Sequence, residues 1–521
     1  MTRRTALALV AALPLVALLA SVSLGRTEPN YGAETDFLGS FVPEAQRLLR
    51  GEAPRLEFHP PLYPAALALV FRAGGDWLSA GLWLSALGAL LVLVAGVRLL
   101  ERLAGAAAGL GAGLGLCLSD TFVSYAQQAT SDVFFTGLLL LGLALLFESR
   151  AGAGWRVGSG LALGLAALTR SNGITALAFG VALLPGPGGW SGRARRLAPW
   201  LAGFALPLAV WGLVAAQLGA PLLPRQTHAN LALTYLAEGD RTSGDALAEA
   251  TAGVEGAADV LRRVGPARAA RIYLRDLGRA VRNVFTLDLL VFPAAQLALP
   301  GLALLLLRLI EGRRFGILAG LAAAFLVLNL KAWESRYHLY LVPFLGAGVG
   351  LLGERALAAA RTAGRTRWLA AAGGLALLLA LGEMGRVQHE QGGGLSHDAR
   401  AAAAVLARYG PDAVARVVAR KPHLCYHAAL SCEGFPDVSD ETALGAALAR
   451  ISAATPEGAE LFLFYGYAER LLRPGLWRLG LRDHEVAWLT RIGIGKETGK
   501  WALYRVRRDA LPPALASSPS P

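Results

Sequence analysis

The 521-residue chain is 55% hydrophobic and only 17% charged, below the ~25% charge of a soluble protein, so lipid or other apolar helices must solvate most of it. The net charge of +13 is almost wholly arginine, with lysine only at Lys331, Lys421, Lys496 and Lys500. The arginines cluster between apolar runs, the pattern that orients membrane proteins, which argues against nucleic acid as the basic chain's partner.

Residues 5–25 follow Arg3-Arg4 and are long enough to cross the ~30 Å hydrocarbon core. We read them as a retained first helix rather than a cleaved signal peptide, because Gly25-Arg26-Thr27 makes a poor small-x-small cleavage site. Further apolar spans fall at 77–98, 103–118, 132–148, 197–219, 286–309, 315–330, 337–353 and 367–383. The stretch 157–184 reads as one long helix or as two short ones broken at Arg170-Ser171-Asn172-Gly173. Charge favours the break. Only then do the N-terminus and the arginine clusters at 98–102, 150–156, 193–196, 308–314 and 355–367 all share the cytoplasmic side. The expected fold is therefore a polytopic α-helical membrane protein of about eleven spans, in which the short halves of the broken stretch need burial among other helices.

The same parity places the other polar segments outside the cytoplasm. They are the first loop (26–76), the short loop from Asp120 to Asp132, the Arg170 break, the long loop 220–285, the Lys331–Arg336 turn and everything after about residue 385. In the first loop, Val42–Arg50 followed by Gly51 predicts a short interfacial helix with a glycine stop. In the long loop, apolar residues from Val260 to Val284 recur at helical spacing with seven arginines between them. That pattern predicts a basic amphipathic helix on the membrane surface, either anchored to lipid phosphates or lining a substrate site. The organisation expected is a membrane module over 1–384, a small α/β domain over 385–510 and a disordered tail over 511–521. Within that domain, Ala413–Ala419 and Glu460–Tyr465 read as strands and Asp440–Ala453 as a helix. Cys425 and Cys432 are a disulfide if the domain faces an oxidising compartment, and two free thiols otherwise.

Polar residues at the outer boundary carry whatever chemistry the chain performs. Asp36, in Tyr31-Gly-Ala-Glu-Thr-Asp36-Phe37, can take a proton from an attacking hydroxyl if geometry allows; its plainer role is a solvated loop carboxylate or helix cap. Glu34 is the understudy. Asp132 opens a long apolar helix, where the helix dipole alone explains a carboxylate, yet an acid at this boundary is also a functional candidate. It can orient an acceptor, hold a cation or pair with an arginine. Arg170, Lys331, Arg336 and His59 are cations or potential cations at the same boundary. Phosphate recognition accounts for them, and so does salt bridging to Asp132 or Glu334. No His, Asp or Glu spacing defines a metal site, and His59 and His228 join one only through the fold, so a divalent metal stays open.

Together these residues resemble the membrane-embedded GT-C glycosyltransferases, and most of all the bacterial branch of the dolichyl-phosphate-mannose protein mannosyltransferase family, which includes aminoarabinose transferases acting on lipid A. The resemblance rests on the Asp36 loop, Arg47-Leu-Leu-Arg-Gly51, His59-Pro-Pro-Leu-Tyr-Pro64, Ser131-Asp132 and Leu168-Thr-Arg170-Ser-Asn-Gly173. Ser335-Arg336-Tyr337 followed by Pro343, Val417-Val-Ala-Arg-Lys-Pro422 and Leu503-Tyr-Arg-Val506 extend it. It implies inverting transfer of a sugar from a polyprenyl-phosphate donor to an extracytoplasmic acceptor, at the plasma (inner) membrane. By this carry-over Asp36 is the general base, joined by Asp132, and His59, Arg170, Lys331, Arg336 and Tyr337 surround the donor phosphate. The chain departs from the pattern at His59, where a lysine is expected before the proline pair. Ligation of a preassembled oligosaccharide, or transport of a lipid-linked substrate, are the competing readings.

Overall fold

The computed structural model describes residues 36–148, 152–185, 189–224, 229–236, 253–254, 256–286, 289–312, 314–330, 333–392, 396–409, 415–436, 438, 440–466, 469, 473–481, 483–495 and 501–512. The expected span at 5–25, Glu34, His228, Lys331 and nearly all of the tail lie outside them. Two units emerge: residues up to 227 with 267–392, and residues 228–266 with those from 393 onward. The long loop is thus divided, its basic helix going with the helical unit.

That unit contains α1 (Val42–Leu49), α2 (Leu62–Arg72), α3 (Trp77–Ala104), α4 (Ala106–Cys117), α5 (Asp120–Ala126), α6 (Ser131–Leu146) and α7 (Ala153–Thr169). A 3-10 segment (Ser171–Leu183) and α8 (Gly189–Leu218) follow. The next two helices, α9 (Ala229–Tyr235) and α10 (Ala257–Val264), belong to the second unit. Then come α11 (Pro266–Val284), α12 (Ala294–Glu311), α13 (Phe315–Leu328), a 3-10 turn (Ser335–Leu341) running into α14 (Val342–Thr362), and α15 (Thr366–Gly392). Among the described residues five helices are long and apolar enough to cross a membrane. A sixth arises if α4 and α5, bent by 66°, are one span. The bend falls just after the span expected at 103–118, where a loop from Asp120 was expected. Its cause is local: Ser119 accepts the Phe122 amide at 3.1 Å and so caps a new helix inside what was expected to be loop.

Small residues set the helix spacing. A β-carbon at Gly88 of α3 would lie 2.6 Å from the Phe134 backbone of α6, and one at Gly111 of α4 would lie 2.3 Å from the Gly346 carbonyl of α14. In lipid, where no hydrophobic drive brings helices together, such close backbone approach supplies the packing.

The chain reverses at Arg170 as charge parity predicts. Gly173 lies against Ala167, and Gly160 and Gly180 both lie against Trp200, so the 3-10 segment runs back along α7. This segment has 13 residues. At ~2.0 Å rise per residue it extends ~26 Å, whereas an α-helix would reach only ~20 Å. The tighter winding lets a short apolar run approach the thickness of the hydrocarbon core.

The second unit adds α16 (Ser396–Leu406), β1 (Ala415–Ala419), α17 (His423–Ala428), β2 (Ser431–Gly434), α18 (Glu441–Ala453), β3 (Glu460–Tyr465), β4 (Leu489–Ile494) and β5 (Ala502–Val506). The sheet order is β2-β1-β3-β5-β4; β1 runs parallel to β2 and β3, and β5 antiparallel to β3 and β4. Alternation along β3 sends Leu461, Leu463 and Tyr465 into one core with Leu444 and Leu448 of α18. Phe462 and Phe464 enter another with Ala402 and Leu406 of α16, as a strand's period of two requires when both faces are covered. Cys425 and Cys432 are disulfide-bonded, tying α17 to β2.

Candidate active site

The helical unit brings together every described site residue that the sequence singles out. Asp36 precedes a π-helical turn, Phe37–Phe41, whose two phenylalanines are fully buried. Phe37 fits where Gly81 of α3 has no side chain, and Ala129 enters the same space. One glycine therefore seats both the Asp36 turn and the approach to Asp132.

The Asp36 side chain is 41% exposed, and its Oδ2 lies 3.4 Å from His59 Nε2, long for a hydrogen bond but close for a charge contact. The His59 ring sits 4.5 Å from Phe41, which is 4.8 Å from Tyr63, itself 6.2 Å from Phe134 on α6. Pro61 caps α2 immediately afterwards, and proline's fixed φ holds the segment that presents His59. The structure thus makes the first-loop aspartate and the His-Pro-Pro segment neighbours in space.

Asp132 is 1% exposed at the start of α6. The Thr130 hydroxyl donates to its Oδ2 at 2.8 Å. Arg170 Nη1 lies 2.7 Å from its Oδ1 and donates to the Ser131 hydroxyl at 3.0 Å. The turn is pinned from α3, where the Ser85 hydroxyl donates to the Gln128 carbonyl at 2.6 Å. Of the two carboxylates sequence alone offered Arg170, it takes Asp132. An intramembrane cation is costly unless paired, and burial of both groups makes the pair mutually obligatory.

Arg336 Nε donates to Glu334 Oε2 at 2.6 Å, and its Nη2 donates to the Tyr337 hydroxyl at 3.2 Å. The guanidinium groups of Arg170 and Arg336 both stand 5.0 Å from the centre of the Tyr337 ring, within cation–π range. Tyr337 therefore joins the Arg170 cluster to the Arg336 cluster. The charges of Asp36 and Glu334 also act on Arg170, so one field links the exposed carboxylate to the buried arginine.

Sequence reasoning missed Tyr125 on α5, which feels the charges of Asp132, Glu334 and Arg170. Nothing in its spacing marks it, because the bend after α4 delivers it. Thr130, the donor to Asp132, was missed as well. Among the described residues no three His, Cys, Asp or Glu side chains converge as a metal site; on Asp132, Arg170 holds Oδ1 and Thr130 holds Oδ2.

No protein-family model matches the chain, nor does any curated protein. Solved structures do. ArnT from Cupriavidus metallidurans bound to undecaprenyl phosphate is similar over 99% of both chains, with 15% identity and a TM-score of 0.51. The apo oligosaccharyltransferase of Archaeoglobus fulgidus is similar over 90% of this chain and 70% of its own, with 12% identity and a TM-score of 0.55. The same enzyme tethered to an acceptor peptide gives a TM-score of 0.53 over 90% and 69%, again with 12% identity. At these identities the likeness establishes the fold alone: the chain folds as ArnT and the oligosaccharyltransferase do.

Proposed function

We propose that the protein is an inverting glycosyltransferase that moves a sugar from a polyprenyl-phosphate donor to an acceptor on the extracytoplasmic face of the plasma membrane, with Asp36 as general base. One observation carries this reading: an accessible carboxylate stands beside a buried, arginine-lined cluster on a shared scaffold. The fold it is built on is also that of ArnT bound to undecaprenyl phosphate.

The acceptor hydroxyl oxygen attacks C1 of the sugar from the side opposite the phosphate. The bond from C1 to the phosphate oxygen breaks, its electron pair leaves with polyprenyl phosphate, and the hydroxyl proton passes to Asp36. A single displacement of this kind inverts the anomeric centre. Negative charge builds on the departing phosphate, and removing one aimed donor in a water-poor site costs about 10²–10³-fold in kcat. We assign Arg170, Arg336, Lys331 and the Tyr337 hydroxyl to that charge. Both Arg170 contacts described above come from Nη1, and Nη2 is the donor assigned to phosphate. Asp132 fixes the Arg170 guanidinium and completes the catalytic centre. His59 stands at the mouth of the same centre, against Asp36.

The sheet domain over 385–510 belongs to the extracytoplasmic side in this reading, where its Cys425–Cys432 disulfide suits an oxidising compartment. Eleven spans with the break at Arg170 deliver that orientation. Purified full-length protein, offered labelled polyprenyl-phosphate sugars and polyprenyl-pyrophosphate oligosaccharides with cell-envelope acceptors, should consume a monosaccharyl phosphate donor. Consumption of only the oligosaccharide donors would favour ligation, and protein-dependent movement of intact donor across a vesicle bilayer would favour transport.

A further inference from the structure

We infer that α11 is a binding surface for anionic phospholipid headgroups, which hold this helix on the membrane and make the protein's behaviour depend on lipid charge. The helix carries five arginines against one aspartate, Asp276. Its residues fall into three faces rather than the two of an ordinary amphipathic helix.

Ala269, Ile272, Ala280 and Val284 are buried against the protein. At about 100° of rotation per residue, Ala267, Ala270, Leu274 and Val281 form a second stripe within about 60° of one another. This stripe faces away from the core: Leu274 is 64% and Val281 47% exposed. Arg268, Arg271, Arg275, Arg279 and Arg282 form the third, within about 80° of one another, and all are exposed. The rotation is fixed by Tyr273, whose hydroxyl donates to the Leu326 carbonyl at 3.0 Å.

Leu326 lies in the last turn of the apolar helix α13, so α11 is held at the level where an apolar helix ends. A helix at that depth with an exposed apolar stripe beside an exposed arginine stripe matches a bilayer surface: apolar groups enter the acyl boundary and guanidinium groups meet phosphates. Arg275 and Arg279 share Asp276, while among the described residues Arg271 and Arg282 make no ion pair. A solvated arginine face has no use for the exposed Leu274–Val281 stripe. A docked protein partner would need shape that a straight row of arginines does not offer. The inference rests on the helical unit spanning a membrane and is independent of Asp36.

The test uses full-length protein in nanodiscs containing labelled phosphatidylglycerol or phosphatidylcholine, with lipid enrichment at the protein measured against salt. The expected result is a preference for phosphatidylglycerol that fades at high salt. Each arginine removed in the series Arg271→Gln, Arg275→Gln, Arg282→Gln should lower it by up to about fivefold. Leu274→Ser with Val281→Ser should weaken the hold on both lipids without changing the preference. An unchanged phosphatidylglycerol preference in the triple arginine variant would overturn the inference. So would equal displacement of the lipid by millimolar inorganic phosphate, which would point to a soluble anion, or by an acidic peptide, which would point to a protein partner. Donor turnover in a neutral bilayer reads the proposed reaction separately, so the two can fail independently.

Discussion

Replacing Arg170 by methionine should be among the most damaging single changes in the helical unit. The side chains of Arg170 and Asp132 are 8% and 1% exposed and meet at 2.7 Å. Methionine keeps much of the volume but leaves a carboxylate buried with only the Thr130 hydroxyl described as a donor. Breaking a buried pair from one side costs about 3–5 kcal/mol, and the lost contact with Tyr337 adds about 0.5–2 kcal/mol. Asp132→Asn in the same background removes the stranded charge and should recover a large part of the loss. The measurement is a double-mutant cycle by equilibrium unfolding in mixed micelles, comparing Arg170→Met, Asp132→Asn and the double variant. The expected coupling energy is about 3 kcal/mol. Losses that merely add, or a single Arg170→Met variant within about 0.5 kcal/mol of wild type, would refute the idea that the pair organises the site.

Other residues give sharper or smaller effects. If His59 orients Asp36 across their 3.4 Å contact, His59→Ala should lower kcat with little change in undecaprenyl phosphate affinity, and His59→Gln should restore part of it; loss of affinity with kcat intact would instead make His59 a phosphate ligand. Gly88→Val must push a side chain into the Phe134 backbone and should cost about 1–3 kcal/mol, seen as a lower unfolding midpoint; a neutral result would mean the α3–α6 seam is looser than described. Asp76 caps α3 through the Ser79 amide and hydroxyl. Burial opposes its ionisation, but the bonds from Ser79 and the amide of Leu78 outweigh it and hold the carboxyl below the ordinary range. Its stabilisation is therefore present above the unfolded carboxyl pKa and lost as pH falls through the lower folded value. Asp76→Ala should cost about 1 kcal/mol at neutral pH, and that difference should disappear in acid; a cost independent of pH would contradict the cap.

Much of this was legible because the chain is so apolar that each polar residue at a membrane boundary needs a reason. Asp36 and the His59 segment stood out that way, and the reversal at Arg170 followed from arginine parity alone. The runs Ala413–Ala419 and Glu460–Tyr465 read as short buried strands, and the described strands are Ala415–Ala419 and Glu460–Tyr465. What stayed hidden depends on distant contacts. Asp132 and Glu334 were equivalent partners for Arg170 until the glycine seams fixed which helices approach. Tyr337 was named only through the family resemblance, and its place between two guanidinium groups shows only in the fold. The 3-10 winding after Arg170 has no sequence signature, although it lengthens a 13-residue run to about 26 Å. The bend at Ser119 was obscured because hydropathy ignores a capping hydroxyl.

The central claim is that Asp36 takes the acceptor proton while Arg170 and Arg336 stabilise the leaving phosphate. Its most direct test compares wild type, Asp36→Asn and Asp36→Glu for consumption of a labelled polyprenyl-phosphate sugar, alongside undecaprenyl phosphate binding and thermal unfolding of each variant. The account predicts that Asp36→Asn binds undecaprenyl phosphate and unfolds like wild type, yet loses turnover by at least about 10²-fold, with Asp36→Glu falling between. Full turnover by Asp36→Asn would contradict it.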